Sequence, residues 1–393
     1  MNRNAGESTR PTVCLIVTAE VTALTFYRGY IAYLVSRGWN VVLIGSSSGE
    51  LETFADAQGA TAIPVQMRRD PSPVRDFWSL VRMLRVISIL KPNVVMTATP
   101  KAGLIGTLAA YMCRVPVRVY QLWGLRMETE SGLRRVVLAF LEALTARLST
   151  QVVANSPSLA NRAHELHVNG RKVVTVLGRG SSHGVNVNHF SLEATMGEVD
   201  PQTSDFLAAT AEGLKVGFVG RLHPDKGIST LVEAARLCHA KGMNISILIV
   251  GPIESTSVAA EIRSPADIRI HVVGPVTDTR PYLRTMDVLC LPTLREGFPN
   301  VVLEAAAMGL PTIASDATGA VDSVLDRETG LLFPVGDAAA LAAALEMLGH
   351  DNEYRRRLGA QARRYVHEYF ATEKVWPILE SNLKAQLEAA DER

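Results

Sequence analysis

The chain is expected to be an α/β protein with two doubly wound parallel sheets, each in its own domain. Its 393 residues exceed what one hydrophobic core ordinarily serves, so two domains are the starting expectation. It is 47% apolar and 20% charged, enough apolar side chain to cover both faces of a sheet and too little charge for a disordered chain. Short apolar runs rich in β-branched residues also recur along both halves with helix-length stretches between them, the pattern of consecutive βαβ units.

In the first half these runs predict strands at 13–17, 41–44, 94–96, 117–120, 152–154 and 173–177. In the second half they predict strands at 216–219, 245–250, 270–273, 288–291, 312–314 and 331–333. The stretch 191–212 carries neither pattern and reads as a linker, giving a first domain at 1–190 and a second at 213–364. A closing segment follows from 365 to 393, where Tyr365, Tyr369, Phe370 and Trp376 come after a cluster of arginines. Open α/β sheets bind ligands beyond the carboxyl ends of their strands, so functional side chains are expected on the loops that follow strands.

The loop after 288–291 is the most informative. Glu296-Gly297-Phe298-Pro299-Asn300-Val301-Val302-Leu303-Glu304 passes from a turn into helix-forming residues, and the helix stops at Gly309-Leu310-Pro311. Glu296 then lies on the loop, while Glu304 lies in the helix one turn after Asn300 on the same face. The backbone through Gly297, Phe298, Pro299, Asn300 and Val301 opens that helix. The first-turn amides of a helix lack helical partners and carry its positive dipole end, which suits phosphate.

The loop after 216–219 supplies positive charge through Gly220-Arg221-Leu222-His223-Pro224-Asp225-Lys226-Gly227. A guanidinium fork at Arg221 and a compact ammonium at Lys226 match the several oxygens of a diphosphate. Together the two loops describe a nucleotide-diphosphate site. Gly274-Pro275-Val276, after another strand, is a candidate loop beside the base.

Val219-Gly220-Arg221 with Lys226-Gly227, and Glu296 to Asn300 with Glu304-Ala305, resemble the donor site of retaining glycosyltransferases of family 4, which have the GT-B fold. In the first half, Thr99-Pro100-Lys101-Ala102-Gly103, Val115-Pro116-Val117-Arg118, Gly124-Leu125-Arg126, Ser156-Pro157-Ser158-Leu159 and Gly180-Ser181-Ser182-His183-Gly184-Val185 resemble the bacterial branch that builds capsule, exopolysaccharide and undecaprenyl-linked glycans.

The resemblance implies two domains facing across a cleft and a closing helix that returns to the first. It implies transfer of a sugar, with retention, from a nucleotide-diphosphate donor, expected to be UDP-linked, to a polyprenyl-diphosphate-linked or other glycan acceptor. Breaking the sugar–phosphate bond develops positive charge at the anomeric carbon and negative charge on the leaving diphosphate. Arg221, Lys226 and the helix opening answer the second charge and Glu296 the first, while by resemblance Glu304 holds the ribose hydroxyls. Lys101 and Arg126 are the acceptor-side candidates.

The chain departs from the family pattern twice. Gln121-Leu122-Trp123-Gly124 stands where many relatives carry a histidine, and Ala19-Glu20-Val21-Thr22 where many carry a Gly-Gly pair. Trp123 cannot act as a base, which leaves open a catalytically silent nucleotide-sugar-binding scaffold; the other alternative is a nucleotide-sugar 2-epimerase-like GT-B enzyme, which needs no acceptor and against which the 99–103 and 124–126 matches argue.

Forty basic residues against 39 acidic ones leave a net charge of +1, so nucleic acid is not expected as a partner. No Asp-x-Asp closes a strand, and the cationic pair can do what Mg²⁺ does for a diphosphate, so metal-independent transfer without a further cofactor is expected. His164 and His167 read as a solvated helix face rather than metal ligands. Cys14, Cys113, Cys238 and Cys290 lie far apart in apolar runs and read as free thiols of a reducing compartment. Residues 1–10 are polar and no window suits a membrane span, which predicts a cytoplasmic protein. Two apolar helical stretches with basic flanks, 74–90 and 133–148, predict peripheral attachment to the anionic inner face of the plasma membrane.

Overall fold

The computed structural model describes residues 10–68, 72–263 and 268–392, so the expectation for the polar N-terminus falls almost wholly outside them. The chain forms two compact units, the first from the described residues of 1–155, 160–183 and 376–393, the second from those of 156–159 and 184–375.

The first unit holds β1 (Thr12–Ala19), β2 (Asn40–Ser46), β3 (Thr61–Pro64), β4 (Val94–Ala98), β5 (Val117–Leu122), β6 (Gln151–Ala154) and β7 (Val174–Val176). They form a parallel seven-stranded sheet in the order β3-β2-β1-β4-β5-β6-β7. The second unit holds β8 (Leu214–Val219), β9 (Ile245–Val250), β10 (Arg269–Gly274), β11 (Val288–Leu291), β12 (Thr312–Ser315) and β13 (Gly330–Phe333). These form a parallel six-stranded sheet in the order β10-β9-β8-β11-β12-β13. Both sheets are doubly wound, as the sequence predicts, and their strand order reverses between β1 and β4 and between β8 and β11.

The strands read as continuous apolar runs because both faces are covered. Every residue of β9 is buried, as are Val13 to Val17 of β1. Trp39, Tyr30 and Phe218 are among the largest fully buried side chains, each contributing roughly 2–3 kcal/mol by burial. Local signals set the helix ends. Asp337 and Asp351 accept hydrogen bonds from Ala340 N and Tyr354 N at 2.9 Å and 2.8 Å, opening the helices Ala338–His350 and Asn352–Tyr369.

The structure corrects three expectations. β3 was not foreseen, because Thr61-Ala62-Ile63-Pro64 is a short edge strand closed by proline, with no long apolar run. The expected linker 191–212 belongs to the second unit and contains the helix Pro201–Ala209, capped by Asp200. Thr203 there is fully buried, and its Oγ1 lies 3.0 Å from His271 Nε2. At the C-terminal end, the change of unit falls between Val375 and Trp376 rather than after Arg364. Tyr365, Tyr369 and Phe370 pack in the second unit's core, while Trp376 packs against Tyr30 and Tyr33 of the first.

Candidate functional site

In the second unit the order reversal lies between β8 and β11, and the carboxyl edge of an open α/β sheet at such a reversal is where ligands are ordinarily taken. The two motifs of the sequence follow these two strands. After β8 the chain makes a single 3₁₀ turn, Pro224–Lys226, before the helix Ile228–Ala240. Gly227 joins them at φ +67°, and a Cβ there would lie 1.8 Å from Pro292 O, so only glycine lets the β8 loop press against the β11 loop.

Lys226 Nζ donates to Glu296 Oε1 at 2.5 Å, with both side chains mostly covered. A strut just upstream of each sets that spacing. Arg295 Nη2 lies 2.8 Å from Asp225 Oδ2, and His223 Nδ1 lies 2.7 Å from Asp225 Oδ1. Thr293 Oγ1 and Leu294 N both donate to Asp225 O, at 3.1 Å and 2.8 Å. Burial alone would raise the Asp225 carboxyl, but the neighbouring Arg295 and Lys226 charges hold it below its ordinary value.

The loop after β12 completes the support. Glu296 N donates to Thr318 O at 2.7 Å. Gly319, at φ +78°, comes so close that a Cβ would lie 2.5 Å from Glu296 O. Gly319 N in turn donates to Ser158 Oγ at 2.7 Å, and Ser158 is bonded to Asp322.

Arg221 pairs with a residue outside the expected set: its Nη1 donates to Glu254 Oε2 at 2.6 Å. Both side chains are substantially exposed, so the pair adds little stability and its guanidinium is easily redirected. The helix after β11 spans Asn300–Ala307, which places Glu304 one turn after Asn300 as expected. Burial pushes the Glu304 carboxyl up to about 7.

Of the expected contact residues, Phe298 differs. Its ring is buried and packs on Phe370 with centroids 5.3 Å apart, so only its backbone can face a ligand. Gly297 and Pro299 are also buried, and Pro299 has no N–H to offer, which leaves Asn300 and Val301 as the first helical amides.

The first unit's reversal, between β1 and β4, is marked by a strained residue. Thr99 sits at φ +69°, unusual for a β-branched side chain. Its Oγ1 lies 2.7 Å from that of Thr18, which also accepts from Ala102 N at 3.2 Å. Lys101, two residues on, donates to Asp76 Oδ1 at 2.8 Å. Arg126 opens the 3₁₀ turn Arg126–Thr129, half-exposed and 3.9 Å from Glu130. Trp123 stacks on Phe26 with centroids 4.5 Å apart, and its buried indole N–H has no hydrogen-bond partner among the described residues.

His164 lies exposed in the helix Pro157–Glu165, with Nδ1 2.9 Å from Asn169 Nδ2 and Nε2 accepting from Val174 N at 3.4 Å. Sequence reasoning missed Asp225, Arg295, Glu254, Thr18 and Thr99. Asp225 and Arg295 directly precede Lys226 and Glu296, and opposite charges at matching positions of two facing loops were the signal available. Glu254 carried none.

Two family models match the chain: "Glycosyl transferase 4-like domain" over residues 24–178 and "Glycosyl transferases group 1" over residues 213–351. Among curated proteins, the capsular polysaccharide biosynthesis glycosyltransferase CapM of Staphylococcus aureus is 33% identical, over 91% of this chain and 93% of that protein. The UDP-Gal:alpha-D-GlcNAc-diphosphoundecaprenol alpha-1,3-galactosyltransferase of Escherichia coli is 25% identical, over 81% and 82%. Among solved structures, Anabaena HepE in complex with UDP and glucose superimposes with a TM-score of 0.75 at 16% identity, covering 95% of this chain and all of that one.

Proposed function

We propose, from the premise that the chain is a GT-B-fold member of the group 1, family 4-like glycosyltransferases, that it transfers a sugar with retention from a UDP-linked donor to a polyprenyl-diphosphate-linked glycan, in the synthesis of a bacterial surface polysaccharide. The observation that carries this reading is the Lys226–Glu296 pair at the β8/β11 reversal, a cation and a carboxylate held together at the edge where such sheets take their ligands. The similar S. aureus protein is named for capsule synthesis and the E. coli one for a UDP-sugar and an undecaprenol diphosphate, which supports both the pathway and the acceptor class.

In this reading the donor's diphosphate draws Lys226 from Glu296 and Arg221 from Glu254. The freed Glu296 carboxylate then faces the donor sugar, and its charge favours the cationic anomeric centre as the bond to phosphate breaks. Lys226, Arg221 and the Asn300 and Val301 amides take the charge that appears on the leaving diphosphate, the work a divalent metal does elsewhere. Glu304 accepts from the ribose hydroxyls. On the acceptor side, Lys101 and Arg126 meet the second diphosphate, and the strained turn at Thr99 and the unpaired Trp123 N–H support a ligand there. A polyprenyl acceptor stays in the bilayer, so the enzyme works as a peripheral protein on the inner face of the plasma membrane.

Incubation with a panel of nucleotide sugars and polyprenyl-diphosphate acceptors tests the reading. Elongated lipid supports it; an epimerised donor, or binding without turnover, replaces it with one of the two alternatives. Glu296→Gln is expected to cut transfer at least a hundredfold while leaving UDP affinity within about threefold, as for a group that acts mainly in the transition state.

A further inference from the structure

Ser156-Pro157-Ser158-Leu159 lies just after β6, and the proposed reaction gives it no part. These four residues belong to the second unit, and the helix Pro157–Glu165 that they open continues in the first. Its start is secured locally, since Ser156 Oγ accepts from Leu159 N at 3.3 Å, as an N-cap does. The Ser158 side chain is not needed to begin the helix. It turns instead to the loop after β12, where its Oγ donates to Asp322 Oδ2 and accepts from Gly319 N at 2.7 Å. Ser158 N donates to the same carboxylate oxygen at 3.0 Å. One residue at a helix end thus ties down two points of a loop.

That loop carries the backbone of Glu296. Ala317 and Ala320 are buried in the second unit's core and set the depth at which the loop sits. Between them, Thr318 O accepts from Glu296 N at 2.7 Å. A Cβ on Gly319 would lie 2.5 Å from Glu296 O and 2.6 Å from Gly297 O, so the two backbones touch on both sides of the Glu296 side chain. Glycine at φ +78° has the widest choice of other conformations, and its amide is held here only through Ser158 Oγ. Lys226 therefore fixes the far end of Glu296, while Ser158 and Asp322 fix the loop on which its near end rests.

We propose that Ser158 and Asp322 are positioning residues for Glu296: their bond holds Thr318 and Gly319 against its backbone and so aims its carboxylate at the donor sugar. This rests on the reading of Glu296 as the carboxylate that faces the anomeric centre. A contact of purely structural value would instead lower thermal stability and leave kcat alone.

The test is steady-state transfer by the full-length protein, with the nucleotide sugar and polyprenyl-diphosphate acceptor that the panel above identifies, and with UDP affinity and thermal unfolding measured alongside. Ser158→Ala and Asp322→Ala should each lower kcat by about tenfold to a hundredfold, on the order of what an ångström-scale misplacement costs. Donor KM and UDP affinity should stay within about threefold, since ground-state binding of the diphosphate is untouched. Asp322→Asn should keep nearly the full rate, because both bonds from Ser158 end on one oxygen, which an amide also offers. Combined with Glu296→Gln, Ser158→Ala should cost nothing further, as it acts through a group already removed.

An unchanged kcat in Ser158→Ala overturns the proposal, as does a loss confined to thermal stability. So does an Asp322→Asn variant as slow as Asp322→Ala, or a Ser158→Ala effect of the same size in the Glu296→Gln protein. Should Ser158→Ala fail to fold, the two Asp322 variants decide alone. Unmutated protein that binds UDP but turns over no donor removes the transferase reading itself, whereas turnover that the variants leave intact removes only the positioning role.

Discussion

Burial holds the Glu304 carboxyl near 7, against an ordinary value of 4.5. If ribose hydroxyls donate to it, the ligand favours the ionised form, so binding must strengthen as the group loses its proton. UDP affinity is therefore expected to rise from pH 5 to pH 8, with proton release on binding below about pH 7. Glu304→Gln should flatten that dependence. Titration calorimetry in buffers of different ionisation heat measures both, and an unchanged pH profile in the variant would remove Glu304 from the ribose. The placement of Glu296 on the loop and Glu304 in the helix was legible in the sequence, because a short apolar run precedes the turn and Gly309-Leu310-Pro311 ends the helix. Phe298 was not, because the same turn also needs an apolar anchor, and nothing local distinguishes a side chain facing a ligand from one facing Phe370.

The two loops that carry the site are held in register by Asp225 and Arg295, each one residue before a member of the Lys226–Glu296 pair. Asp225 is nearly fully buried, so breaking its pair leaves an uncompensated cation. Asp225→Asn is expected to cost about 3 kcal/mol of stability. It should also lower kcat more than it raises KM for the donor, because Lys226 and Glu296 would lose their common frame. A double-mutant cycle with Arg295→Met decides the matter: if the two effects on kcat simply add, the strut positions nothing. Strands were the most legible elements, since a short apolar run rich in β-branched residues suits a strand buried on both faces and little else in a chain this long. The helix Pro201–Ala209 was hidden although Asp200-Pro201 is a regular helix start, because the segment buries chiefly Thr203 and so shows no apolar periodicity.

For the molecule as a whole, the sequence conveyed two doubly wound sheets but not where their seams fall. Division into units follows long-range packing, as where Ser158 joins Asp322 and Gly319 of the second unit from a helix that otherwise continues in the first. The C-terminal helix Thr372–Asp391 enters the first unit through Glu380, whose carboxyl meets Tyr33 OH at 2.9 Å, Arg37 Nε at 3.2 Å and Lys384 Nζ at 2.6 Å. Burial works against that charge, yet Lys384, Tyr33 and Arg37 hold the group below its ordinary value. A depressed carboxylate stabilises above its unfolded value of 4.5 and loses that contribution as pH falls through the folded one. Glu380→Gln should cost about 2 kcal/mol at pH 7, and the difference from the unmutated protein in thermal unfolding should close at acid pH.

The central claim is that cations at the β8/β11 reversal hold the diphosphate of a nucleotide. It is tested most directly by comparing UDP with uridine, which lacks the phosphates, as ligands of Lys226→Met and Arg221→Ala. Charged hydrogen bonds of about 1.5–3 kcal/mol predict a tenfold or greater loss of UDP affinity in each variant, with uridine bound as before. Equal losses for both ligands, or UDP binding undiminished in either variant, would contradict the account.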